Sequence, residues 1–273
     1  MTDMTQSGWR TFWEKGGWWR ALVLVVVYFV LYNGLSLLLT PLAEQITDPQ
    51  SAEAILVFYV IPIFVGCLLL VAFALSVGWM REIFGPQPIR GRGWMWIAIA
   101  VVLLFNVLHL LSIDYGAAGF EVVATWLLAG VFIGFAEEVL TRGLVVSLLR
   151  KAGQREIAVA AISSALFALL HAGNLLTGQS PLATAIQLVY TFGFGVCMYL
   201  AMRVTGTIIA PILLHASTDP SIFLHTEYPA ESAFGSLAGL GNPVVIIVGI
   251  VLLFFIRGRV EPTSTAPQFA ATR

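Results

Sequence analysis

The stretch GFAEEVLTRG, residues 134–143, sets Glu137, Glu138 and Arg142 inside an apolar run covering 122–149. Three ionisable side chains are costly in an apolar run of that length, so its surroundings decide how it is read. Further apolar stretches lie at 21–39, 54–78, 94–111, 157–170, 182–202, 207–218 and 244–256, separated by short polar or Gly/Pro-containing breaks. Of 273 residues, 59% are hydrophobic and 11% charged, against roughly 45–50% and about 25% in soluble domains. A globule of this size has no interior large enough for that excess, whereas a bilayer accommodates it. The expected fold is all-α and polytopic, with about eight transmembrane helices over 21–256 and an active site within the membrane. The stretches 157–170, 207–218 and 244–256 are short of the ~20 residues a span needs, so the count is seven or eight. The first stretch follows Arg10, Lys15 and Arg20. It is too long for a signal-peptide core and no small-x-small site follows it, so it is expected to remain as a span.

The basic residues alternate with the spans. Arg10, Lys15 and Arg20 precede the first, Arg81, Arg90 and Arg92 follow the second, and Arg150, Lys151 and Arg155 surround the break after the fourth. Arg203 follows the sixth, and Arg257, Arg259 and Arg273 follow the eighth, while the breaks beginning Pro41, Ser112, Gly173 and Asp219 hold none. The positive-inside rule then places both termini in the cytoplasm: 1–20 as an N-terminal segment and 257–273 as a tail, disordered beyond Val260. Trp9, Trp13, Trp18, Trp19, Trp79, Trp94 and Trp96 gather near the same boundary, as interfacial aromatics do. Cys67 and Cys197 fall in apolar runs and show neither a disulfide framework nor metal-type spacing. Gly193, Gly195 and Gly206 are expected to permit close helix approach.

Glu138 and Arg142 are four residues apart and share a helix face, where they pair. Glu137, about 100° further round, has no partner on its own helix, and such a carboxylate suits general-base work. Two more polar groups follow: His171, one turn after Phe167 in ALFALLHAGN, and His215 with Asp219 one turn apart in LLHASTD. Glu137 lies 13 residues before Arg150, His171 lies 16 after Arg155 and His215 lies 12 after Arg203. At ~1.5 Å per residue these separations give a common depth of roughly 18–24 Å, so the three helices are expected to form one site. His109, His225, Asn33 and Asn106 read as packing and inter-helix hydrogen bonding.

With these residues the chain resembles the CAAX protease and bacteriocin-processing (CPBP, or Abi) family, whose motifs EExxxR, FxxxH and HxxxN/D lie on successive transmembrane helices. Here they read Glu137-Glu138-xxx-Arg142, Phe167-xxx-His171 and His215-xxx-Asp219, in order and within about 120–220. The resemblance implies an intramembrane glutamic endopeptidase without cofactor or metal. In it Glu137 activates water, His171 positions the water, and Glu138 is held by Arg142. His215 and Asp219 match the positions expected to stabilise the oxyanion. An ionised Asp cannot donate a hydrogen bond, so Asp219 acts either as a protonated donor or, the preferred reading, as an acceptor that orients His215. The implied partners are the lipid bilayer and a membrane-associated peptide or protein, with prenylated CAAX proteins the best-known substrates of the family. No nucleic-acid partner is expected.

Two other readings stay open at this point. Two Glu, two His and one Asp form an acceptable ligand set for Zn or another divalent ion, although HExxH is absent. A transporter or immunity-type protein also uses buried carboxylates and histidines, although no inverted repeat or matched pair of broken helices is present.

Overall fold

The computed structural model describes residues 8–261. Most of the tail expected to be disordered therefore lies outside the described residues. Among them the chain is helical, with two isolated β-bridges, Ile113 to Pro229 and Arg155 to Arg259. Besides short helical turns at Thr40–Ala43 and Ala233–Ala238, the helices are α1 (Gly8–Glu14), α2 (Trp18–Leu38), α3 (Ala52–Val77), α4 (Met80–Phe84) and α5 (Trp96–Leu110). They continue with α6 (Tyr115–Lys151), α7 (Glu156–Leu170), α8 (Pro181–Thr205), α9 (Ile209–Glu227) and α10 (Gly241–Leu253).

Seven helical stretches among the described residues are long and apolar enough to cross a membrane, and the chain is an integral, multi-pass membrane protein. They contain α2, α3, α5, α6, α7, α8 and α10. The seventh expected span, 207–218, falls in α9, 19 residues long. That is about 28 Å of helix, yet its polar residues keep it out of the apolar set. Leu22, Val26 and Val30 of α2, Leu68 and Leu75 of α3 and Leu103 and Leu104 of α5 all point outward, the surface that lipid, not water, solvates. Helix ends follow local chemistry. The hydroxyl of Ser180 caps α8, accepting from the amide of Ala183 at 3.3 Å, with Pro181 in the first turn, a position where its missing N–H costs nothing. Gly206 ends α8 in the left-handed region at φ 77°, so it serves as a helix stop rather than the contact point expected. Gly193 does make one, against Ile246 and Gly249 of α10.

Two charge assignments change at the end of the bundle that carries the basic residues. Arg150 and Arg203, counted as loop charges from the sequence, are buried, and both bind the fully buried Glu156 at the start of α7. Arg150 holds it with two hydrogen bonds, Nε to Oε1 at 2.9 Å and Nη2 to Oε2 at 2.7 Å, and Arg203 Nη1 adds a third at 2.8 Å. The Tyr199 hydroxyl also donates to Glu156, and the Glu156 amide donates to Gly258 O at 3.0 Å. Glu156 thus ties the ends of α6 and α8 to the start of α7 through its carboxylate, and to the strand-like C-terminal segment through its amide. Trp13 and Trp79 also depart from expectation. Both are core residues rather than interfacial ones, with Trp13 edge-on to Phe73 at 5.0 Å and Trp79 Nε1 bonded to Glu14 at 2.7 Å.

Candidate active site

The site is built where α6 crosses α9. Gly130 and Gly134 stand one helical turn apart on α6, and each faces α9 backbone. A Cβ on Gly130 would lie 2.4 Å from Ala216 O, and one on Gly134 would lie 2.6 Å from Ile212 O. Only hydrogen fits at such spacings, the small-xxx-small logic of membrane helices. Pro220 inside α9 reinforces the contact. It has no N–H to donate to Ala216 O, which is the atom that Gly130 meets. Asn106 of α5 clasps the other side of α9, donating to Ser217 and Thr218 hydroxyls at 2.9 Å each.

One turn beyond Gly134, the acidic pair faces His215. Glu138 Oε1 accepts from Arg142 Nη1 at 3.0 Å and from His215 Nδ1 at 2.8 Å, with both Glu138 and Arg142 side chains wholly buried. Arg142 also donates to Gly195 O on α8 at 2.8 Å and to the Thr141 hydroxyl at 2.6 Å, and its guanidinium covers the Phe167 ring at 4.7 Å. Because a carboxylate only accepts, His215 Nδ1 carries a proton. Its Nε2 points the other way, 3.5 Å from Glu137 Oε2 and 3.8 Å from Asp219 Oδ1. The carboxylate that receives an N–H and orients His215 is therefore Glu138; at 3.8 Å Asp219 is beyond hydrogen-bond reach. The backbone of α6 turns π-helical over Val139–Val145, immediately after Glu138, a distortion common at functional sites.

His171 ends α7, where the chain tightens into a 3₁₀ turn over His171–Leu175. Its Nδ1 donates to Phe167 O at 3.2 Å, which leaves Nε2 with a free lone pair. Phe167 presents its ring edge-on to both imidazoles, at 5.1 Å for His171 and 5.8 Å for His215, so the FxxxH and HxxxD motifs share one aromatic wall. Glu137 and Asp219 side chains keep 20% and 26% of their surface exposed, while His215 keeps 2%. The two carboxylates mark the open side of the site.

The structure thus brings Glu137, Glu138, Arg142, His215 and Asp219 into direct apposition, with His171 across Phe167 from His215. A cavity of about 730 Å³ at the basic end of the bundle reaches only the far side of Arg142 and is not lined by Glu137, His171, His215 or Asp219. Among the described residues no three His, Cys, Asp or Glu side chains are arranged to hold a metal ion. His109 and His225 pack on each other at 5.2 Å, and Asn33 bonds within its own helix, to Phe29 O. The sequence reading passed over Gly130, Gly134 and Glu156. The GxxxG spacing one turn before Glu137 is the signal that points to α9 packing.

Residues 119–220 match the family model described as type II CAAX prenyl endopeptidase, Rce1-like. The matched segment contains all three motifs and agrees with the CPBP resemblance that they carry. No curated protein matches the chain. Fold, motifs and match together support a membrane endopeptidase, a hydrolase acting on a membrane-associated substrate.

Proposed function

We propose that the chain is a glutamic-type intramembrane endopeptidase, with Glu137 as the base that activates water. The observation that carries this reading is the apposition of Glu137 Oε2 and His215 Nε2 at 3.5 Å on the open side of a buried α6–α9 contact. Water between Glu137 and the Nε2 lone pair of His171 attacks the carbonyl carbon and gives its proton to Glu137. The carbonyl oxygen becomes the oxyanion, and Glu137 returns the proton to the departing amine as the C–N bond breaks. His215 acts with both nitrogens protonated, Nδ1–H on Glu138 and Nε2–H toward the oxyanion. Such positioned donors contribute about 3–4 kcal/mol each in a water-poor site. Arg142 fixes Glu138, and Asp219 supplies the balancing negative charge one turn away. The alternating basic residues support cytoplasmic termini. A prenylated CAAX peptide is the first substrate to try, since the matched family's description names that class.

The test uses wild type and Glu137→Ala purified in detergent, each given a prenylated CAAX peptide and a mixed membrane-peptide library, with and without a chelator. Cleavage that Glu137→Ala abolishes and a chelator leaves intact supports the glutamic mechanism. Cleavage lost on chelation moves the chemistry to a metal, and cleavage that survives Glu137→Ala removes that residue from the role of base.

A further inference from the structure

The groups facing the reaction are poor in donors. Glu137 and Asp219 are carboxylates, His171 offers a lone pair, and His215 Nε2 is the one N–H so far assigned. A tetrahedral oxyanion is best held by more than one donor. Asp219 occupies a position where the family pattern also admits Asn, whose amide donates and whose ionised counterpart does not.

A neutral donor stands on α2, outside the matched segment. Tyr28 is 8% exposed, and its buried hydroxyl makes no hydrogen bond to any described residue. Room for that hydroxyl is provided by Gly66 of α3, where a Cβ would lie 2.5 Å from the Tyr28 oxygen. A buried hydroxyl without a partner is a net cost, and such groups call for a specific reason. Cys67, the residue after Gly66 on α3, reaches Phe132 O of α6 at 3.4 Å, so Tyr28 packs on α3 beside its contact with the helix that carries Glu137. Tyr32 follows one turn on, the two rings stacking at 6.1 Å. The stack fixes the Tyr28 ring while its hydroxyl is left without a protein acceptor.

We infer that Tyr28 is a catalytic residue whose hydroxyl donates to the scissile carbonyl oxygen as it becomes the oxyanion, beside His215 Nε2–H. This rests on the peptidase reading above. Before substrate binds, the hydroxyl lacks an acceptor; the carbonyl oxygen supplies one, and the bond strengthens as negative charge develops there.

The experiment compares wild type, Glu137→Ala, Tyr28→Phe and Gly66→Ala as full chains in detergent, on whichever peptide the wild type cleaves. Tyr28→Phe keeps the ring and removes only the donor. The expected result is a kcat lower by about 10²–10³-fold, a KM within about twofold of wild type and a melting temperature no lower. Gly66→Ala, which crowds the hydroxyl, is expected to lower kcat in the same direction. An unchanged kcat in Tyr28→Phe overturns the proposal, as does a loss confined to KM or accompanied by a lower melting temperature. Activity surviving in Glu137→Ala overturns the peptidase mechanism itself, so the two failures are told apart.

Discussion

Glu138 Oε1 is shared by two donors on different helices, Arg142 Nη1 at 3.0 Å and His215 Nδ1 at 2.8 Å. The orientation of the imidazole is therefore set by a carboxylate that is itself set by a guanidinium. Removing the guanidinium leaves Glu138 buried without its counter-charge. Arg142→Met is expected to cost about 3–5 kcal/mol of stability and to abolish cleavage in the molecules that still fold. Chemical unfolding in detergent, read beside specific activity, measures both.

Gly134→Ala tests the helix contact that assembles the site. The added methyl would meet Ile212 O at 2.6 Å and Ala216 N at 2.7 Å, both backbone atoms. Neither can move away without moving α9, so His215 is carried off its position against Glu137. We predict a stability loss of about 1–3 kcal/mol and a fall in kcat of about 10²-fold for a displacement near 1 Å. An alanine variant with wild-type kcat would show that the crossing tolerates a methyl.

Glu156→Gln separates scaffold from chemistry. Its carboxylate neutralises Arg150 and Arg203 at the bundle end remote from Glu137. Loss of that charge is expected to destabilise the fold by about 3–5 kcal/mol, while kcat per folded molecule stays near wild type. Thermal unfolding and active-site-normalised rates give the two numbers.

The docking of α1 carries an acid dependence. Partial burial pulls the Glu14 carboxyl upward, but hydrogen bonds from Trp79 and Lys151 and the charges of Lys151 and Arg10 outweigh it and hold Glu14 below its ordinary value of 4.5. A depressed carboxyl stabilises the folded form above the unfolded value and loses that contribution as pH falls through the folded one. The protection of α1 amides, relative to their intrinsic exchange rate at each pH, is therefore expected to be flat above about pH 5 and to fall below the ordinary carboxyl range. Glu14→Gln is expected to remove the acid step.

Much of this arrangement is visible in the sequence, for reasons tied to spacing. Glu138 and Arg142 pair because four residues return a helix to the same face, and the apolar excess alone requires lipid. What escapes is geometry set by distant contacts. Arg150 and Arg203 read as loop charges because nothing local shows that Glu156 will gather them. The π-helical turn at Val139–Val145 has no residue signature, and Trp79 is indistinguishable from an interfacial tryptophan until Glu14 is seen beside it. Asp219, which cannot donate when ionised, reads in sequence as the acceptor that orients His215, but Glu138, 77 positions away, makes the shorter contact.

The crossing of α6 and α9 also bears on biosynthesis. When α6 emerges, Glu138 and Arg142 can close on each other within the helix, so the segment partitions with one uncompensated acid in place of three ions. The Gly130–Gly134 face and the Glu138 acceptor on which α9 depends already exist at that stage. α9, too polar to partition by its own composition, emerges later and finds them waiting. Its integration is expected to depend on that of α6, since the surface it docks against is laid down first.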